Sequence, residues 1–345
     1  MNKIKVLIVD DSATVRTLVK KLLSDEKSIK VVGTADNGRE AIKKIKEEEP
    51  DVITMDIVMP YMDGFSTIKH IMSENPIPIL VLARSAFSKG EDFIFRAIEL
   101  GALEILEKPD LPEWEKLRNF KKILVREIKK MAKAKTSSTV DLKKVKEINI
   151  KSELDESCKS YIGITASSGG PGVLKKILSE LPGNFPGCIF VVQHISTGFT
   201  PDFIKWLNSD SKLEVVEASH RRKIKERTVY VAPENKHLVI NKLKRIELTD
   251  APRNNGFRPS GNVMFESVGR VFKEKSIGVI LSGMGKDGID GLQKIKECGG
   301  RVIAQDPENS ILPTMPQGAI KRGVVDVVSS PDNISSEIIK MTGLK

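Results

Sequence analysis

Within its first 130 residues the chain repeats one pattern five times: a short apolar run, then a segment with helical spacing. IKVLIVD leads into TVRTLVKKLL, IKVVGTA into GREAIKKIKEEE, and DVITMD into GFSTIKHIMSE. PILVLA precedes a helix expected near 89–100, and EILEK precedes one starting near Pro112. Strands alternating with helices at this spacing predict a parallel sheet covered on both faces. Right-handed crossovers then make the fold doubly wound, with the carboxyl ends of the strands converging on one edge.

The alternation stops at KTSSTVDLKKVKEINIKSELDESC and resumes after it. YIGIT, CIFVVQ, KLEVVEA, SIGVILS, RVIAQ and VVDVV are strand candidates. PGVLKKILSEL, FTPDFIKWLN, GIDGLQKIKEC and SSEIIKM have helical spacing, and 228–249 reads as a β excursion. The expected organisation is therefore an α/β domain over 1–130, a basic polar linker over 131–158, and a second doubly wound, Rossmann-like α/β domain over 159–345. The net charge of +10 is local, since residues 116–151 hold thirteen Lys/Arg and three Asp/Glu. A chain neutral elsewhere is not built to coat nucleic acid. No apolar run approaches the roughly 20 residues of a membrane span, and MNKIKVLIVDD reaches acids too early for a signal peptide. Cys158, Cys188 and Cys298 are too far apart for a disulfide framework or a metal site, which fits the cytoplasm.

In the first domain, Asp10 and Asp11 end the first strand and Asp56 ends the third. Carboxylates crowded at one sheet edge invite a hard divalent cation such as Mg2+. Lys108, after the fifth strand, is expected to reach the same edge and offset phosphate charge. Asp56 is the candidate covalent phosphoryl acceptor. This set resembles the response-regulator receiver family, a flavodoxin-like fold, over about residues 1–125. The resemblance implies phosphorylation at Asp56 by a histidine kinase and Mg2+ held by Asp10, Asp11, Asp56 and the backbone carbonyl of Val58. Lys108 matches the family lysine. The chain departs from the family at Ala83, where a hydroxyl is usual, and at Ile105, where an aromatic is common; Ser85 is two residues out of register.

In the second domain, YIGITASSGGPGVLKKIL runs a strand through Ala-Ser-Ser-Gly-Gly into a helix. Such a turn serves either as a phosphate cradle or as the seat of a nucleophilic serine. Of four histidines, His194 alone ends an apolar strand, CIFVVQH, and is the candidate base for Ser167. Asp287, in the glycine-rich turn of SIGVILSGMGKDG, is the candidate acid partner, unless it merely caps the helix after it. ASSGG, QHISTGFT, YVAPENKH, FRPSGNVMF, GVILSGMGKDG and MPQGAI together resemble the CheB family of protein-glutamate methylesterases over 159–345. That resemblance implies a Ser167–His194–Asp287 triad and an oxyanion donor at the backbone N–H of Met284. It also implies hydrolysis of glutamate methyl esters on chemoreceptors without a cofactor, with deamidation of receptor glutamines as a related activity. The receiver is expected to cover the hydrolase edge until phosphorylated. The family commonly has Gly at the position of Thr165 and Thr at that of Ser168, and Ser167 keeps its register. The competing reading is a receiver joined to a DNA- or nucleotide-binding output.

Overall fold

The computed structural model describes residues 3–84, 94–109, 114–134 and 159–344. The chain divides into two compact units, with the division at Ser138 and Thr139.

In the first unit, β1 (Ile4–Val9), β2 (Ile29–Ala35), β3 (Val52–Met55), β4 (Ile79–Ala83) and β5 (Glu104–Glu107) form a parallel sheet in the order β2-β1-β3-β4-β5. This is the flavodoxin-like order, in which the chain reverses direction across the sheet between β1 and β3. The helices are α1 (Ala13–Ser24), α2 (Gly38–Glu48), α3 (Gly64–Glu74), the single turn α4 (Arg96–Glu99) and α5 (Trp114–Ala134). Ser12, Asn37 and Asp63 start α1, α2 and α3 by accepting first-turn N–H groups, the usual task of short polar side chains there. The expected helix near 89–100 is described only from residue 94 on. Helix α5 runs four residues past the expected end of the domain, because its apolar stripe continues: Leu124, Ile128 and Met131 are all fully buried. The rest of the expected linker lies outside the described residues.

In the second unit, seven strands form one parallel sheet: β6 (Ser160–Ala166), β7 (Gly187–Gln193), β8 (Glu214–Glu217), β9 (Thr228–Val231), β12 (Ser276–Ile280), β13 (Arg301–Gln305) and β14 (Val327–Ser329). Their order is β14-β13-β12-β6-β7-β9-β8. Two further strands, β10 (His237–Ile240) and β11 (Ile246–Thr249), pair as a separate antiparallel hairpin. The expected β excursion is thus split. TVYV, buried at all four positions, joins the main sheet as β9, and only the hairpin stands apart.

The expected helices are α6 (Pro171–Glu180), α7 (Thr200–Asn208), α9 (Ile289–Glu297) and α11 (Ile334–Thr342). Two more, α8 (Gly261–Phe272) and α10 (Thr314–Lys321), were not anticipated. Helix α8 packs against β6, where Gly163 leaves room: an added Cβ would stand 2.8 Å from the Phe265 ring. Phe265, Val268, Phe190, Tyr230, Leu292 and Ile295 belong to one buried cluster. Each such side chain contributes about 1.5–3 kcal/mol of burial. The chain runs from β6 outward to β7, β8 and β9, then returns to place β12 on the other side of β6. The carboxyl end of β6 is therefore a topological switch point, where open α/β sheets form their ligand crevice. Among the described residues, no helix is long and apolar enough to cross a membrane.

Candidate functional sites in the two units

In the first unit, Val9 pairs with Met55 across β1 and β3, so Asp10 and Asp56 emerge side by side. Asp10 is 1 % exposed, Asp56 is buried and Asp11 is exposed. Lys108 leaves β5, its N–H donating to the Ala83 carbonyl at 2.6 Å. Its Nζ stands 2.7 Å from Asp10 Oδ2 and 2.9 Å from Asp56 Oδ2. One oxygen each from Asp10, Asp11 and Asp56 lies within 4.8 Å of the others. Three hard oxygen donors so gathered fit a small divalent cation that keeps some of its water. Val58 lies on the loop after β3, 47 % exposed, and no donor among the described residues takes its carbonyl. Ala83 and Ile105 are buried apolar residues, so neither position carries the hydroxyl or the aromatic ring that the resemblance leads one to expect. Ser85 lies outside the described residues.

Burial raises the Asp56 carboxyl above its ordinary value of 3.8; the Lys108 ammonium pulls the other way, and the Asp10 carboxylate adds to the rise. A raised carboxyl binds its proton more tightly in the folded state than in the unfolded one. Its contribution is therefore complete below 3.8 and is lost as pH rises through the raised value. Asp56→Asn removes that loss. The variant's first unit is expected to be more stable than the wild type near pH 7, with the gap closing in acid. Urea midpoints against pH test this, and equal midpoints at neutral pH would refute it.

In the second unit, the candidate residues follow three neighbouring strands. Ala166 pairs with Gln193 across β6 and β7, so Ser167 and His194 are the next residues in register. The His194 N–H donates to the Ala166 carbonyl at 2.9 Å, and the Ser167 N–H to the Ser282 carbonyl beyond β12 at 3.0 Å. Gly283 is pressed against the serine turn: an added Cβ would lie 2.8 Å from Ser167 Cβ and 2.2 Å from Met315 Sδ. Ser167 is 2 % exposed. Gln193 Nε2 braces both residues, donating to the carbonyls of Ser167 at 3.1 Å and His194 at 3.0 Å.

His194 Nε2 lies 2.9 Å from Asp287 Oδ2. The acid is 1 % exposed and also accepts from Ser260 Oγ at 2.6 Å, Gly261 N–H at 2.7 Å and Asn262 N–H at 3.2 Å. Burial pushes its carboxyl up, but the hydrogen bond and charge of His194, with the Ser260 and Gly261 donors, outweigh that and hold it below its ordinary value. Asp287 does cap a helix, though not the one expected. It receives the first N–H groups of α8, while α9 starts at Gly288 without a side-chain cap. The helix dipole of α8 thus favours its negative charge.

With Nε2 given to the acid, His194 Nδ1 is buried and has no hydrogen-bond partner. The ring is turned relative to the chymotrypsin arrangement, where Nδ1 meets the acid and Nε2 the serine. Phe257 stacks on the imidazole, with ring centres 4.0 Å apart and planes 9° apart. The other histidines are engaged elsewhere: His70 beside Glu74, His220 with the Leu248 N–H, and His237, fully buried, with the Pro252 carbonyl. The Met284 N–H stands between Gly283 and the left-handed Gly285 (φ 116°), and no acceptor among the described residues takes it.

A CheB methylesterase family model matches residues 162–338, and a response regulator receiver domain model matches residues 6–117. A protein-glutamate methylesterase/protein-glutamine glutaminase of Syntrophus aciditrophicus is 38% identical over 99% of both chains. The chain belongs to the CheB methylesterase family. A namesake from Lawsonia intracellularis is 35% identical, over 97% of this chain and 98% of its own. The crystal structure of the Thermotoga maritima CheB methylesterase catalytic domain aligns with a TM-score of 0.51 at 37% identity, over 53% of this chain and 98% of that one.

Against the family pattern, Thr165 is accommodated inside the protein. It is fully buried, and added Cβ atoms at Gly261 and Gly288 would stand 2.4 Å from its Oγ1 and 2.7 Å from its Cγ2. Its side chain therefore fills space beneath α8. Sequence reasoning missed Phe257, Ser260 and Gln193. FRPSGNVMF carried a signal for Ser260, a serine directly before a helix, but its hydroxyl serves Asp287 and makes no cap bond to α8.

Proposed function

We propose that the chain hydrolyses glutamate 5-O-methyl esters on chemoreceptors to glutamate and methanol, in the cytoplasm, under control of receiver phosphorylation. The observation that carries this reading is the 2.9 Å contact between His194 and Asp287, with His194 in register with Ser167 at the ends of β7 and β6, in a chain of the CheB family. In the proposed reaction Ser167 Oγ attacks the ester carbonyl while His194 Nδ1 takes its proton. The Met284 N–H donates to the oxyanion. The imidazolium, stabilised by Asp287, returns the proton to the departing methoxide, and methanol leaves. Water, deprotonated by the same imidazole, then splits the acyl-enzyme to the glutamate carboxylate. A receptor glutamine follows the same path with ammonia as the leaving group, which accounts for deamidation as a second activity.

In the receiver, residues 1–130 on this reading, Asp56 accepts a phosphoryl group from the chemotaxis histidine kinase. Asp10, Asp11, Asp56 and the Val58 carbonyl would hold Mg2+, which when bound supplies positive charge against the phosphoryl oxygens. Lys108, already between two of those carboxylates, offsets the phosphate that Asp56 gains. The DNA- or nucleotide-binding alternative is not favoured, because residues 162–338 match the methylesterase model. The test is methanol release from methylated receptor membranes. Release is expected from wild type, rising with a small phosphodonor, and the rise is expected to vanish in Asp56→Asn while basal release persists. Absence of any methanol from wild type would end the reading.

A further inference from the structure

The β10–β11 hairpin carries a charge pattern that ester hydrolysis does not use. After β8 the chain is tied to the hairpin tip. The Arg221 N–H donates to the Ile246 carbonyl at 2.8 Å, the Ile246 N–H to the Arg222 carbonyl at 3.0 Å, and Lys223 forms a β-bridge with Arg245. These bonds gather Arg221, Arg222, Lys223, Lys242, Lys244 and Arg245 on one surface. Arg222 is half-buried, 5.5 Å from the Tyr230 ring centre, and the other five are exposed. Among the described residues, no carboxylate lies within 4.0 Å of any of the six charges. A cluster of unpaired cations raises the local potential and concentrates anionic partners.

Its position bears on the reaction. Glu217 pairs with Val231 and Val231 with Val191, so the basic segment leaves the sheet at the same carboxyl edge as His194. The end of β8 is two strand spacings from β7 and three from β6, about 10 and 14 Å. An α-helix laid along that edge covers such distances in about seven to ten residues.

We propose that this surface docks the acidic face of the substrate helix, beyond the two to three turns that separate the end of β8 from the esterified glutamate. The assignment rests on the proposed reading of a chemoreceptor as substrate, and takes its esterified glutamate to lie on an α-helix. Esterification neutralises a glutamate, so the anionic charge comes from sites on the same helix that are already free carboxylates. Partly demethylated helices then bind more tightly than fully esterified ones.

The test uses the full chain and methylated receptor in phosphatidylcholine nanodiscs, with KM and kcat for methanol release measured across ionic strength. The triple variant Lys223→Gln, Lys242→Gln, Lys244→Gln is expected to raise KM about fivefold at low salt. Its kcat should stay near wild type, and the difference should shrink once the screening length falls below about 10 Å. The matching triple Lys→Arg should keep the wild-type KM, which separates charge from a folding defect. An unchanged KM in the glutamine triple would overturn the assignment. So would a KM effect confined to receptor in phosphatidylglycerol bilayers, since the surface would then be reading lipid. Absence of methanol release by wild type would overturn the esterase reading and the docking surface with it, whereas release indifferent to the three lysines would overturn the docking surface alone.

Discussion

Ser167→Ala is expected to lower methanol release from methylated receptors by about six orders of magnitude, the scale of losing a serine nucleophile. The structural cost should be slight. The bonds that hold this turn engage the backbone of Ser167 and not its hydroxyl: the Ser167 N–H to Ser282, the Gly170 N–H to the Ser167 carbonyl, and Gln193 Nε2 to that same carbonyl. An alanine keeps all three and adds no volume against Gly283. Ammonia release from receptor glutamines should fall in parallel, because in the proposed mechanism both reactions begin with attack by the same oxygen. Ser168→Ala is the control for register and should stay within about tenfold of wild type. If Ser168→Ala silenced the enzyme and Ser167→Ala did not, the nucleophile would have to be reassigned.

Much of this site was legible because each residue proposed for the triad follows an apolar strand. ITAS, VVQH and the glycine-rich turn after SIGVILS sit at strand ends, and a parallel sheet brings neighbouring strand ends together whatever the details of packing. Asp10, Asp56 and Lys108 were legible for the same reason, and the 2.7 and 2.9 Å contacts of Lys108 fall at the sheet edge expected. What escaped was whatever depends on contacts across the loops. Ser260 and Phe257 reach Asp287 and His194 from a segment with no apolar run before it, so periodicity gave them no strand end to sit on. Helix α8 starts at Gly261-Asn262, poor helix formers that are tolerated because Asp287 takes their N–H groups and Thr165 leaves no room for a larger first residue. Four residues of TVYV between turns fit a hairpin as well as an inner strand, and only burial on both faces separates the two. The orientation of the His194 ring has no local signal at all, being set by where Asp287 stands.

That orientation leads to the second large effect: Asp287→Asn is expected to reduce turnover by about three to four orders of magnitude. Asp287 accepts four hydrogen bonds, two at each oxygen, and an asparagine can match only part of that set. With its amide nitrogen toward His194 and Gly261, it meets the Gly261 N–H donor to donor and forces His194 Nε2 to accept. The proton then resides on Nδ1, which can no longer take one from serine. With the amide reversed, the tautomer survives, but the carboxylate charge proposed to stabilise the imidazolium is gone and the Asn262 N–H faces another donor. Both arrangements also strip charge from the start of α8, at about 1–2 kcal/mol of stability near pH 7. The pH dependence follows from the sign of the shift. The wild-type carboxyl is held below 3.8, so its contribution is present above that value and is lost as pH falls through the depressed one. Thermal midpoints of the second unit should accordingly differ between wild type and Asp287→Asn at pH 7 and converge in strong acid. A variant with near-wild-type turnover would remove Asp287 from the mechanism, and one with equal midpoints at both pH values would remove it from the support of α8.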